Sequence, residues 1–151
     1  MAPAEERHSD LLTGAALTVF RLNGQFLSVA EELARTAGLT AARWQVLGAV
    51  TREPLPVSAV ARRFGTTRQS VQRIADLLVE QGLAEYRPNP AHSRAKLLAA
   101  TGEGLDALRR ISPDHDRVAE ALVTELGEED SARVLEALRQ LSRALDRIGS
   151  G

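Results

Sequence analysis

Apolar residues recur along this chain with two different periods, and the changes of period locate its elements. Leu12, Ala15, Ala16, Val19, Leu22, Phe26, Ala30 and Leu33 keep helical spacing. They predict a long first helix with Ser9 or Asp10 as N-cap, preceded by a mobile tail over residues 1–9. Gly38 ends that helix, and Thr40 caps a shorter one that turns Trp44, Leu47 and Val50 inward. Glu53, Pro54, Leu55 and Pro56 then break regular structure. Ser58 opens a third helix with Val60, Ala61 and Phe64 on its apolar side, and Gly65 stops it. Thr66 and Thr67 cap a fourth, with Gln69 three residues beyond Thr66 in capping-box spacing. Val71, Ile74, Leu77 and Leu78 share one face of this helix, which ends at Gly82.

Beyond Gly82 the period falls to two. Residues 83–87 and 94–100 read as short strands, joined by the polar tip Pro88, Asn89, Pro90, Ala91, His92 and Ser93. A hairpin this small must pack on a neighbour to persist, and the preceding helix is the candidate. Thr101 caps another helix, carrying Leu105, Leu108 and Ile111; Pro113 either kinks it or opens a new segment. Helical spacing continues through Val118, Leu122 and Leu126 to Gly127. Val134, Leu138, Leu141, Leu145 and Ile148 then stripe the last helix. The fold class is mainly α with a small β-hairpin.

Composition narrows the chemistry. The 151 residues suit a single domain, and with aromatics at only 3% its core must be built from Leu, Ala and Val. Cysteine is absent, which excludes disulfides, thiolate-bound zinc and thiol-based redox sensing. His8, His92 and His115 stand far apart without ligand spacing, so neither metal nor cofactor is expected. No apolar run approaches the ~20 residues of a membrane span, and the first residues lack a secretory apolar stretch. A cytoplasmic protein without membrane contact is expected. No nucleophile–base grouping, Gly-rich phosphate loop or carboxylate pair suggests an enzyme.

The net charge of −1 conceals an uneven distribution. Residues 1–51 carry −1 and residues 97–151 carry −4, whereas residues 52–96 carry +4. Local density is what a polyanion meets. Two short helices joined by a Gly turn match helix-turn-helix geometry, in which the second helix enters the major groove of DNA. Opposite its apolar face lie Arg68, Gln69, Gln72 and Arg73. Arg forks onto guanine O6/N7 and Gln pairs with adenine N6/N7, while Thr67 and Ser70 at the helix start suit phosphate or base contacts. The plain alternative is the solvated face of an amphipathic helix. On the hairpin, Arg87, Arg94 and Lys96 either form a wing reaching the minor groove or a charged edge that discourages strand pairing.

The runs GLTAARWQVLGAV, PLPVSAVARRFGTTRQSVQRIADLLVEQGLAEY and NPAHSRAKLLAATGEG resemble the multiple-antibiotic-resistance regulator (MarR) family, over nearly the whole chain and most closely from Gly38 to Gly104. The resemblance implies a homodimeric winged helix-turn-helix regulator of double-stranded DNA, usually a repressor, often released by a small aromatic or amphipathic effector. One domain over residues 10–151 is then expected. Residues 10–38 and 102–148 would form the dimerisation helices and residues 40–100 the winged helix-turn-helix. Two interleaved copies would read a palindromic operator. Arg73 matches a frequent recognition-helix arginine and Arg94 the wing arginine. His92 stands where the family usually braces that arginine with an acid. His92 then contacts phosphate itself, with Ser93 beside it, or Arg94 is less rigidly held; a protonated His92 would favour phosphate. An effector pocket would lie near Phe20, Phe26, Trp44 and His115. The competing function is a winged-helix module that docks protein without specific DNA binding.

Overall fold

The structure, a computed structural model, describes residues 4–150. Its elements run α1 (Ala4–Arg35), α2 (Ala41–Ala49), β1 (Leu55–Pro56), α3 (Val57–Phe64), α4 (Arg68–Glu80), β2 (Ala84–Arg87), β3 (Leu97–Ala100), α5 (Gly102–Leu126) and α6 (Glu128–Gly149). The mainly helical fold with a small antiparallel sheet is as the pattern predicts. The chain divides after Ile111 into two compact units.

The first unit has one core. Val46 and Leu47 from α2 with Val50 at its C-cap, Val57, Val60 and Ala61 from α3, and Val71, Ala75 and Leu78 from α4 meet Leu98 of β3 and Ile111 of α5 there. The start of α2 is tied by two side chains. Thr40 Oγ1 accepts from the Arg43 amide at 3.2 Å, and Glu31 Oε1 from the Ala41 amide at 3.1 Å. These bonds satisfy amides at the start of α2 that no carbonyl of its own helix reaches.

Gly65 closes α3 with φ 62° and ψ 34°. This left-handed conformation lets the Thr66 amide reach back to the Ala61 carbonyl at 3.0 Å. The sharp turn sets α4 against α3. The cap of α4 is Thr67 rather than the Thr66–Gln69 pair expected from spacing. Its Oγ1 accepts from the Ser70 amide at 3.1 Å and donates to Ser70 Oγ at 2.8 Å. Thr66 is drawn into the turn instead, so its side chain is one residue too early to cap.

The sheet has three strands in the order β1-β3-β2, all antiparallel. Leu55 and Pro56, expected only to break structure, pair with Leu98 and Leu97. A two-residue strand leaves no periodic signal, and its partner lies about forty residues away. Proline is tolerated there because β1 is an edge. The hairpin strands are shorter than expected on the β3 side: pairing begins at Leu97, and Arg94 to Lys96 belong to the tip.

Thr101 joins hairpin to α5. Its Oγ1 donates to the Gly82 carbonyl at 2.6 Å and accepts from the Gly104 amide at 3.1 Å. One hydroxyl thus ties the end of α4 to the start of α5. Thr101→Ala should lower unfolding free energy by about 1–2 kcal/mol, read as a lower denaturant midpoint with unchanged slope.

At helix ends one expectation needs correction and one alternative is decided. The first helix begins at Ala4, so residues expected as a tail are helical from there; residues 1–3 lie outside the described residues. The Ser9 or Asp10 cap is therefore not used, because the polar run Glu5, Glu6, Arg7 and His8 itself continues the helix. Second, of the two alternatives at Pro113 the new segment is excluded, because α5 runs through it. Proline there leaves the Arg109 carbonyl without an amide donor.

The second unit, from Ser112, consists of the rest of α5 and of α6, separated by Gly127. No residue of α6 is buried. Val118, Leu122, Leu135, Leu138, Leu145 and Ile148 remain exposed, as do Leu12, Phe20 and Phe26 on α1.

Candidate nucleic-acid interface

Four cations of the middle third, Arg68, Arg73, Arg94 and Lys96, line two adjoining depressions of the first unit. A groove of about 670 Å³ runs between α4 and the hairpin tip, lined by Arg68, Gln72, Tyr86, His92, Arg94 and Lys96, with Pro56 to Ser58 at its floor. Beyond α4, Arg68, Gln69, Gln72, Arg73 and Asp76 line a second, shallower depression. Arg68 and Gln72 border both, one helical turn apart.

This convergence follows from the folding of each piece. In α4, burial of Val71, Ala75 and Leu78 leaves Arg68, Gln69 and Arg73 outward. At the tip, Asn89 Oδ1 accepts from the Ala91 amide at 3.0 Å and the Asn89 carbonyl from the His92 amide at 3.2 Å. These two bonds form a side-chain-mimicked turn that directs residues 92–96 back beside α4. Asn89 therefore shapes the wing itself.

The cations differ in what they already hold. Among the described residues, Arg68, Arg73, Arg94 and Lys96 have no carboxylate within 4 Å. Arg87 is different: its guanidinium is paired with Glu85 at 2.8 Å. Both side chains are half-exposed, so the pair is weak, but it draws the Arg87 charge toward its own strand. Thr67 spends its hydroxyl proton on Ser70 Oγ at the cap.

Gln72 is tied down as well. Its Nε2 donates to Tyr86 Oη at 2.8 Å and to Asp76 Oδ1 at 3.0 Å, and Tyr86 Oη donates to the same Asp76 oxygen at 2.5 Å. Partial burial, then the hydrogen bond to Asp76 and that residue's charge, push the Tyr86 hydroxyl up to about 12. The phenol thus stays protonated across the working pH range. Asp76 and Tyr86 escaped sequence reasoning. Asp76 was legible as the i+4 neighbour of Gln72, but Tyr86 reaches them only because β2 folds back along α4.

The residues expected around an effector are dispersed. Phe20 and Phe26 are 70% and 58% exposed on α1. Trp44 is half-buried against the core. His115 lies in the second unit, beside Asp116. None of the four lines either groove.

A sequence model of the MarR family matches residues 37–95, the span from the end of α1 to the wing. Uncharacterized protein Rv2011c of Mycobacterium tuberculosis is 43% identical over 104 residues, covering 69% of this chain and 73% of its own. The chain belongs to the MarR family. Regulators of this family are non-enzymatic DNA-binding proteins. The fold of this MarR-family chain is shared with a solved MarR family transcription regulator, SP03579, at 18% identity and TM-score 0.79 over 99% of both chains. It is also similar to the M. tuberculosis transcriptional regulator MosR solved in complex with DNA. Identity there is 24% and the TM-score 0.74, over 89% of this chain and 97% of that one. Among the described residues no helix is long and apolar enough to cross a membrane.

Proposed function

We propose that this MarR-family protein is a sequence-specific transcriptional regulator that binds a palindromic operator as a homodimer. The observation that carries this is the set of four cations without carboxylate partners, Arg68, Arg73, Arg94 and Lys96, facing outward from α4 and the wing. In this reading α4 enters the major groove through Arg68, Gln69, Gln72 and Arg73. The wing, led by Arg94 with His92, Ser93 and Lys96, follows the backbone into the adjacent minor groove. Arg87 contributes through its field while held by Glu85, and Thr67 and Ser70 shape the helix start that faces phosphate.

The dimer is supported by the uncovered apolar residues of α1 and of the second unit, which a lone protomer leaves in water. Leu122→Glu with Leu138→Glu should convert a dimer at micromolar concentration into a monomer in sedimentation equilibrium. The changes spare the core of the first unit, so its helices should persist by circular dichroism. An unchanged dimer would remove the second unit from the interface.

Repression relieved by a small aromatic or amphipathic effector is the regulatory part of the proposal. Because Phe20 and Phe26 lie open on α1, a pocket at these residues requires a wall from the second protomer. A single regulator domain, residing in the cytoplasm, completes the reading.

Recovery of bound duplexes from a random pool tests the whole. A symmetric site that survives competitor DNA, with affinity falling by a log–log salt slope of about −0.9 per phosphate contact, is expected. Absence of duplex binding at low salt would overturn the reading and favour a protein-docking module.

A further inference from the structure

The hydrogen bonds around Gln72 determine which end of its amide the groove can see. Asp76 carries a carboxylate that can only accept. Tyr86 donates its single proton to that carboxylate, so toward Gln72 its oxygen is an acceptor. Both neighbours thus require a donor from Gln72, and the amide nitrogen supplies two protons, one to each. Turning the amide over would set its oxygen against two acceptors. The orientation is dictated by chemistry as well as by position, and the raised Tyr86 pKa keeps the phenol in its donating form.

Gln72 is nevertheless half-exposed and borders both depressions of the face. With both N–H groups engaged inside the protein, what it offers outward is the carbonyl oxygen alone. The familiar pairing of glutamine with adenine needs an acceptor for N6–H and a donor for N7. Here the donor is withheld.

We propose that Asp76 and Tyr86 are positioning residues that hold Gln72 as an acceptor-only reader of the base edge. Resting on the DNA-binding reading above, Gln72 selects a base with an amino group in the major groove. It takes adenine through N6 or cytosine through N4, and it rejects guanine and thymine, whose O6 and O4 would face its oxygen. It scarcely distinguishes adenine from cytosine, because the N7 contact that would do so has no donor. Releasing the amide should therefore sharpen selectivity for adenine, an outcome that a merely structural role for the network would not produce.

The experiment takes a duplex recovered from a random pool and varies each position through all four bases, measuring affinity of the full chain. For the wild type, one position per half-site should accept adenine and cytosine within about threefold of each other. Guanine and thymine there should be weaker by roughly five- to a hundredfold. Gln72→Ala, a change at a half-exposed position, should bring all four bases within about threefold at that position only. Asp76→Ala with Tyr86→Phe should favour adenine over cytosine by about fivefold or more. Thermal unfolding accompanies each variant, and Gln72→Ala decides alone if the double variant does not fold. A Gln72→Ala profile identical to wild type, or a wild type already selecting adenine alone, overturns the proposal while leaving DNA binding in place. Failure of the wild type to bind any duplex would instead strike the functional reading on which it rests.

Discussion

Gly104→Ala is expected to destabilise the protein by about 2–3 kcal/mol or more, among the largest effects of a single methyl group in this chain. Gly104 is buried in the first turn of α5, where that helix leaves the sheet. A Cβ at this position would stand 2.0 Å from the Leu83 carbonyl oxygen and 3.1 Å from its carbon. The obstacle is backbone, at the junction where α4 passes into β2, so no side-chain rotation can relieve it. Leu83 cannot retreat freely, since its carbonyl accepts from the Thr101 amide at 3.1 Å and its amide donates to Leu78 at 2.9 Å. Either α5 lifts away from the core or the base of the wing shifts. The ordinary preference of helices for alanine over glycine, roughly 1 kcal/mol, is too small to compensate. The check is a melting temperature lower by roughly 5–10 °C for a chain of this size, compared at equal protein concentration because any association would shift both curves. A variant as stable as the wild type would show that the α5–wing junction is looser than its geometry implies.

Arg68→Ala combined with Arg94→Ala should weaken operator binding by roughly 30-fold to 10⁴-fold per half-site, with little change in unfolding free energy. Each arginine lines the same groove from an opposite side, Arg68 from α4 and Arg94 from the wing tip. Neither has a carboxylate within 4 Å among the described residues, so neither truncation leaves a partner unpaired inside the protein. Loss of a base-edge or groove contact costs about 1–3 kcal/mol per arginine, which for two well-separated contacts multiplies to the range given. The measurement is a titration of the recovered duplex at two or more salt concentrations. A shallower salt slope would identify the lost contacts as phosphate contacts. Arg87→Ala serves as the contrast. Because its charge is already shared with Glu85, its removal should cost less than either of the other two.

The sequence made some of this architecture legible because the evidence was local. Helical spacing marked α2, α3 and α4, and each turn between them carried its own chemistry in Thr40, Gly65 and Thr67. The switch to a period of two after Gly82 announced the hairpin. The basic middle third was visible once the charge was divided along the chain. By contrast, β1 is two residues long and exists only because β3 returns beside it. The start of α1 at Ala4 escaped because polar residues continue a helix without leaving any apolar rhythm.

The four residues gathered around an effector by resemblance illustrate a different limit. Phe20 and Phe26 lie on α1, Trp44 on α2 and His115 on α5, and spacing within each helix does not say which face a neighbour covers. In the DNA-facing site, residue types suggested Gln72 as a donor-and-acceptor reader. The structure instead occupies both of its N–H groups, because β2 carries Tyr86 back against α4.

By itself, then, the sequence determined which segments are helices, where they stop, and that positive charge gathers between residues 52 and 96. Those features rest on propensity, capping and periodicity, which act over a few residues. Only the tertiary structure decided which cations remain unpaired, how the wing tip lies beside α4, and that Asp76 and Tyr86 orient Gln72. The last depends on groups 10 or 14 residues apart meeting within 3 Å, a proximity that long-range packing creates and local spacing does not encode.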